Sequence, residues 1–512
     1  MSPQVARPEV NPRFPTVVHM LARTVQAFPD KEAIAFQGRS LTYREYGRCI
    51  ASFARELSDA GAKSQRVAVL LPNSSDLAIS IFAILMAGAQ AVLLNPAYTV
   101  RELGMILDDA EPVVVLYAES ATEEQKAFFQ TIGRAKVRQI KLGELEGWAF
   151  NDVPFPSPIV GQGDPCILQY TGGTTGRPKG VNLSHSAIST NVWQRQELVP
   201  AIQGRDRILC CMPLFHAFAT SMCLFLASYS GGCLVVMERY KPDLVLDTLE
   251  NQKITIFPAG PTIFSGLLAH SGFENRNFSA LRFCCSGSAP LSEETLRRWE
   301  LATSAPIYEG YGMTETSPVL SFNPVGGIRK PGSVGVALPL TDVQVVDVES
   351  GTRIASVGER GEVRVRGPQL MTHYRNLQAE TLEVMRDGWL YTGDIGELDE
   401  DGYLFLRDRK KDMAIVGGFN VFPREVEEVL YLYSDVAEAA VIAVPDPFYG
   451  ESIRAFVVAN HNASIEVEAL RNHCAANLTK YKIPADISIV AELPKTSVGK
   501  IDKLELKRRI VA

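Results

Sequence analysis

Two long uncharged stretches constrain this chain more than any other feature. Residues Leu77 to Val100 carry no charged side chain, and neither do Ile208 to Met237. Runs of that length must be kept from water, in a bilayer or in a large core. Gly88 and Asn95-Pro96 break the first; Pro213, His216, Ser228, Ser230 and Gly231-Gly232 break the second. Inside a bilayer such breaks would strand backbone polar groups, so no integral membrane segment is expected. The first stretch reads instead as a buried helix over 77–87 and a buried strand over 91–94. The second reads as strand, loop, helix, glycine turn and strand. Strands this apolar belong to parallel sheets covered on both faces.

The same rhythm runs on either side. An amphipathic helix is expected over 44–60 and apolar strands over 66–71 and 112–117. It resumes with strands at 233–237, 254–258 and 281–285, which suggests a second sheet layer. After about Pro324 the texture changes to short alternating strands punctuated by glycine, at 332–338, 342–348, 361–367 and 402–408. These predict a small antiparallel sheet or barrel. The charged run Asp408-Arg409-Lys410-Lys411-Asp412 then leads into a mixed tail with strands at 439–446 and 453–459. The expected fold is α/β. A large N-terminal domain, 1–408, holds two stacked α/β sheet subdomains to about 323 and a β-barrel over 324–408. A small α+β domain follows over 409–512.

Charge and cysteine usage narrow the function classes. With 51 Lys+Arg against 58 Asp+Glu the chain is acidic, which argues against a nucleic-acid partner. The tail balances 14 basic against 14 acidic residues, so the whole −7 resides before Arg409. None of the nine cysteines forms a CxxC pair or sits at metal-ligand spacing from a histidine, so no zinc site is expected. Reduced thiols and an N-terminus without a signal pattern suggest a cytoplasmic protein.

The strongest chemical signal is Tyr170-Thr171-Gly172-Gly173-Thr174-Thr175-Gly176-Arg177-Pro178-Lys179-Gly180, directly after the apolar strand 166–169. Three glycines before the lysine allow the backbone close to an anion, the threonines add hydroxyl donors, and Lys179 adds a point charge. Pro178, not glycine, precedes Lys179, so this is not the Walker loop of P-loop NTPases, although it suits a triphosphate.

Further motifs follow in order: Ser286-Gly287-Ser288-Ala289-Pro290-Leu291, Tyr308-Glu309-Gly310-Tyr311-Gly312-Met313-Thr314-Glu315, Tyr391-Thr392-Gly393-Asp394, the run 408–412, and Pro494-Lys495-Thr496-Ser497-Val498-Gly499-Lys500. With the threonine-rich loop they resemble the acyl-adenylate-forming enzymes, which include acyl-CoA synthetases, adenylation domains and firefly-type luciferases. The resemblance implies two half-reactions. A carboxylate attacks the α-phosphate of ATP, giving acyl-AMP and pyrophosphate; a thiol, here that of coenzyme A, then takes the acyl group and releases AMP.

It also implies roles for particular residues. Thr171, Gly172, Gly173, Thr174, Thr175, Gly176 and Lys179 take the β- and γ-phosphates. Gly287, Ser288 and Ala289 pack on adenine, and Glu309, Gly310, Tyr311 and Gly312 complete the nucleotide segment. Glu315, with Thr171, binds Mg²⁺, and Thr314 lies near the α-phosphate. Asp394 accepts both ribose hydroxyls, with Arg409 beside it. Lys500 bridges the α-phosphate and the attacking acid. Lys411 is the hinge about which the small, mobile C-terminal domain turns between half-reactions. Gly417, Gly418 and Phe419 then admit pantetheine, while Lys480 and Lys482 meet CoA phosphates. His216, in the apolar Pro213–Phe218 run, orients the acid.

The stretches 387–396, 409–413 and 418–423 look most like bacterial medium- and long-chain fatty-acid–CoA ligases. The acyl pocket is expected from Phe257–Thr262 and Phe215–Phe225, which carry no ionised group and so disfavour amino acids and dicarboxylates. An aryl acid, or a carrier protein loaded in trans, is the alternative. Beyond the small carboxylic acid, ATP and CoA, peripheral membrane contact and oligomeric state are left open. The hinge reading carries a prediction. Lys411→Pro should freeze rotation, sparing pyrophosphate release while abolishing acyl transfer to CoA; unimpaired transfer would refute it.

Overall fold

The computed structural model describes residues 14–171, 178–460, 463–496 and 499–511. Two large sheets enclose a layer of helices. The first has seven strands, in the order 373–374, 179–184, 165–171, 90–93, 66–70, 114–118 and 136–140. Its last five are parallel, and the first two run antiparallel at one edge. The second has nine strands, in the order 336–337, 319–322, 307–312, 283–286, 256–259, 207–210, 233–236, 32–36 and 39–42. Its six strands from 307–312 to 32–36 are parallel.

The two uncharged stretches end up in this core. Helix Ser75–Met86 is buried along its whole length and touches both sheets. Ser74 caps its first turn by accepting from Leu77 N at 3.1 Å. At about 1.5 Å per residue it is roughly 18 Å long, too short to span a bilayer. No helix among the described residues is long and apolar enough to do so. The second stretch folds as strand Arg207–Cys210, a helix from Ala217 to Ser230, and strand Cys233–Val236. The helix is not regular, because Thr220–Phe225 forms a wide π turn within it. Helix Tyr43–Asp59 follows the expected amphipathic pattern and starts with a Thr42/Glu45 capping box.

The third sheet is five-stranded and antiparallel, built from 342–346, 361–366, 385–386, 389–398 and 404–409. The stretch 332–338, expected here, goes elsewhere. Its strand Val336–Ala337 completes the nine-stranded sheet, pairing Ala337 with Ser321. Gly335 is the reason. A Cβ there would lie 1.9 Å from the carbonyl carbon of Phe322, and the residue adopts φ +86°, so only glycine lets the chain pass this close. Gly335 O in turn accepts from Leu404 N, tying the third sheet to the second.

One hydrophobic core runs through all three sheets, ending at Leu404. A separate core begins at Ala414 and packs helices Pro423–Tyr431 and Val467–Asn477 against a five-stranded sheet centred on the long hairpin 436–446 and 450–459. All nine cysteines are buried and unpaired, as the sequence suggested.

Candidate active site

The strands on either side of the threonine-rich loop, 165–171 and 179–184, form a hairpin whose last described pair is Thr171 and Lys179. Gly172, Gly173, Thr174, Thr175 and Gly176 lie outside the described residues. The base is braced: Tyr170 donates to Asp109 Oδ2 at 2.5 Å, and Asp109 Oδ1 accepts from Asn376 at 3.0 Å. Asn376 follows the edge strand His373–Tyr374, which pairs with the hairpin's second strand.

Tyr374 gives this edge strand its significance. Its hydroxyl donates to Glu315 Oε1 at 2.7 Å, and Lys179 Nζ sits 5.2 Å above its ring. Glu315 lies in the turn Thr314–Thr316, beyond the end of strand Ile307–Gly312, and is buried. Burial pushes its carboxyl up, opposed by the Tyr374 hydrogen bond and the Lys179 charge. Lys179, Tyr374 and Glu315 are therefore one unit. Sequence reading missed Tyr374, because an aromatic residue in an unremarkable loop shows nothing of the carboxylate it will meet.

The nucleotide segment is held by packing as much as by chemistry. A Cβ on Gly310 would lie 2.4 Å from the Phe322 ring, and one on Gly312 would lie 1.7 Å from Pro318 O. Pairing with strand Val319–Phe322 thus demands both glycines. Glu309 is buried; its carboxyl faces Leu291 N at 3.4 Å and is pushed up to about 7 by burial. Gly287 similarly leaves room for Phe218, whose ring lies 2.7 Å from the position of a Cβ. Ser288 adopts φ +72°, turning the chain sharply before Ala289.

Asp394 and Arg409 face each other as a cross-strand pair, with Arg409 Nε 3.5 Å from Asp394 Oδ1. Tyr311 donates to Asp394 Oδ2. Of the two oxygens expected to accept ribose hydroxyls, Oδ2 thus already has a donor. Burial raises the Asp394 carboxyl, and Arg409 leads the cations that lower it, Lys500 among them. Lys500 arrives from the C-terminal part on a tight loop, where Thr496 N bonds Lys500 O at 2.7 Å and Gly499 adopts φ +79°. Thr262 docks this loop, donating to Gly499 O at 3.3 Å. Burial and the Arg409 charge push the Lys500 amine down to about 8, while Asp394 opposes them. His216 is pushed down to about 3 by burial and by the charge of Lys500, so its ring is neutral. Its Nδ1 accepts from Phe218 N at 3.4 Å, which places the ring proton on Nε2. Lys500, Asp394, Arg409 and His216 thus converge from four separate segments.

Of the other expected residues, Lys411 adds its charge to those acting on Asp394, and the rest lie apart from this cluster. Lys411 is exposed in the turn after Arg409, whose neighbour Lys410 pairs with Glu362 at 2.9 Å. Gly417 and Gly418, at φ +57° and +85°, form an exposed turn. Phe419 stacks on Tyr481 at 4.7 Å, beside exposed Lys480. Lys482, expected to meet CoA phosphates, is instead paired with Glu425 at 2.7 Å. The acyl wall also needs correction. Phe257 packs on Phe264 and Trp299, and Phe225 on Phe82, each at most 1% exposed. Both belong to the core, because side chains face the helix layer by turns and apolarity alone does not say which. Phe215 and Ile263 remain partly exposed.

The site suits Mg²⁺. Glu315 is a buried carboxylate with one oxygen, Oε1, held by Tyr374. A cation that keeps several waters and binds phosphate oxygens needs little more from the protein. No cluster of three or more His, Cys, Asp or Glu side chains exists among the described residues to suit a fully protein-caged ion.

The chain matches the family model of AMP-binding enzymes over residues 21–375 and that of the AMP-binding enzyme C-terminal domain over 425–500. It is 35% identical to the long-chain-fatty-acid–CoA ligase of Bacillus subtilis, covering 97% of this chain and 94% of that protein. It is 36% identical to a feruloyl-CoA synthase of an Amycolatopsis species, covering 95% and 97%. Among solved structures it is similar to ATP-bound MatB of Rhodopseudomonas palustris, with a TM-score of 0.89 and 30% identity over 96% of this chain and 98% of that one.

Removing one hydroxyl tests the Tyr374–Glu315 link. Tyr374→Phe should raise the Mg²⁺ concentration for half-maximal ATP binding about tenfold, the loss of one charge-assisted hydrogen bond of about 1.5 kcal/mol. Titration calorimetry at several Mg²⁺ concentrations reads this directly, and an unchanged midpoint would separate the tyrosine from the metal.

Proposed function

The chain belongs to the AMP-binding enzyme family, and from that premise we propose that it is an ATP-dependent acid–CoA ligase acting through an acyl-AMP on medium- or long-chain fatty acids. The convergence of Lys500, Arg409, Asp394 and His216 beside the Lys179–Tyr374–Glu315 unit carries the reading. The first step drives one anion onto another, so positive charge has to be in place beforehand.

In this reading Asp394, held by Tyr311 and Arg409, fixes the ribose and so the α-phosphate. The Lys500 ammonium lies between α-phosphate and acid, drawing them together and balancing the charge that develops as pyrophosphate departs. Lys179 and Thr171, with the glycines and threonines of 172–176, hold that pyrophosphate. Thr314 meets the α-phosphate, and Glu315 with Thr171 would hold Mg²⁺, which would supply further neutralisation of the phosphates. Neutral His216 orients the acid through Nε2–H, which can donate to a carboxylate oxygen without adding charge.

The thiol step needs a different arrangement. In this reading Lys500 stands in the way of the thiol, and its loop is held by a Thr262 hydrogen bond and the charge of Asp394. We place the domain boundary at Arg409 and the hinge at Lys411, between the two hydrophobic cores. Rotation there withdraws Lys500 and brings up Gly417, Gly418 and Phe419 for the pantetheine arm, with Lys480 at the CoA phosphates. ATP, CoA and a small carboxylic acid are then the partners, and the setting is the cytoplasm.

A fatty acid is favoured by the B. subtilis relative and by an acyl wall without ionised groups, where each buried CH₂ contributes about 0.8 kcal/mol. An aryl acid is the second reading, favoured by the feruloyl-CoA synthase at slightly higher identity. Release of AMP, followed across acids from acetate to palmitate plus benzoate and ferulate, decides between them. kcat/KM should rise with chain length to a maximum at eight carbons or more. A maximum on ferulate or benzoate would overturn the fatty-acid assignment, and pyrophosphate release without acyl-CoA would point to a carrier-protein acceptor.

The Lys500 environment predicts a pH dependence for the first step alone. The amine is charged below about 8 and loses its proton above it. Pyrophosphate release should therefore fall as pH rises through about 8, whereas thioester formation from supplied acyl-AMP should not follow that titration. Parallel profiles would count against Lys500 acting only in adenylation.

A further inference from the structure

Arg195 lies in helix His185–Leu198, which packs against strands of both large sheets. It is 1% exposed, and no acidic side chain among the described residues pairs with it. Its surroundings are the thiols of Cys223 and Cys285 and the phenol of Tyr229, and burial pushes the guanidinium down to about 10. A buried cation without a counter-ion is unfavourable, and apolar replacements of buried charges are often neutral or stabilising. Stability alone gives no reason for arginine here.

Its hydrogen bonds all go to one place. Nη1 lies 2.9 Å from Ser221 Oγ and 2.9 Å from Met222 Sδ, and Nη2 donates to Ser221 O at 2.5 Å, while Nε has no partner among the described residues. Ser221 and Met222 open the wide π turn Thr220–Phe225, a conformation that is rare and concentrates at functional sites. The segment just before that turn reaches the site. Thr220 Oγ1 donates to Leu214 O at 2.5 Å and Thr220 N to His216 O at 3.0 Å. His216 faces the charge of Lys500, and Phe218 fills the space beside Gly287.

We propose that Arg195 is a positioning residue for the acid: it grips the wide turn at Ser221–Met222 and thereby sets where His216 and Phe218 stand. The width of the acid site, and so which acids fit, then depends on a side chain that touches no substrate. The inference rests on the proposed placing of the acid beside His216.

Arg195→Met keeps the bulk and removes the charge and its fork of donors. The melting temperature should be unchanged or higher, the KM for the preferred acid should rise at least tenfold, and the KM for ATP should stay within twofold. The ratio of kcat/KM between decanoate and ferulate should shift at least fivefold. A residue that merely supports the fold would instead lower the melting temperature and leave both the acid KM and that ratio unchanged, and this result would overturn the proposal. Should Arg195→Met not fold, Ser221→Ala, which removes one acceptor of the same fork, decides: an acid KM raised about threefold supports the proposal, and an unchanged one overturns it. His216→Ala, measured alongside, separates the two layers of the reading. If it raises the acid KM and Arg195→Met does not, only the Arg195 inference fails; if neither variant moves the acid KM, the acid's place beside His216 fails with it.

Discussion

A single carboxylate, Asp394, faces cations from both sides of the charged turn at 408–412. Arg409 reaches it from the neighbouring strand, and Lys500 approaches from the C-terminal part. Burial makes the ionised carboxylate unfavourable and remains the larger effect, so the carboxyl stays raised although Arg409, Tyr311, Lys500 and Lys411 all oppose it. The same carboxylate moderates the repulsion between Arg409 and Lys500. The arrangement thus holds Arg409 and Lys500 near one point, and Thr262 ties the Lys500 loop to the large domain by one hydrogen bond.

The large sheets exist, in functional terms, to deliver loop ends to that point. Thr171 ends strand 165–171, Ser286 ends 283–286, Gly312 ends 307–312, and Gly260 follows strand 256–259. All four lie at carboxyl ends of strands in parallel sheets, where ligands bind in open α/β folds. Glycines at 287, 310, 312 and 335 allow close packing against Phe218, Phe322 and Pro318 around the ends in the nine-stranded sheet. The helix layer between the sheets is where the protein spends polar groups against stability, most plainly at Arg195.

Much of this was legible beforehand, because periodicity and turn chemistry are local. The apolar strands, the buried helix after Ser74, the two-core organisation and the convergence of Lys500 with Asp394 and Arg409 could be read from pattern and resemblance. The failures share one cause. Val336–Ala337 joined the second sheet, Phe257 and Phe225 turned into the core, and Lys482 was taken by Glu425. Each outcome depends on a partner distant in sequence, and nothing in the neighbouring residues encodes it. Tyr374 is the clearest instance, since its value lies wholly in Glu315, 59 positions away.

The amino-acid sequence by itself determined the family, the layered α/β plan and the types of group available for phosphate and acid chemistry, because those follow from composition at close spacing. Only the tertiary structure decided which of these groups are free, which are paired and which charges are left uncompensated. The two long uncharged stretches show the division. Their apolarity required burial, but only packing could place an arginine with no acidic partner among the described residues against one of them and open a wide turn beside His216. Burial is set by residue type, whereas the cost or use of a buried charge is set by what else reaches it.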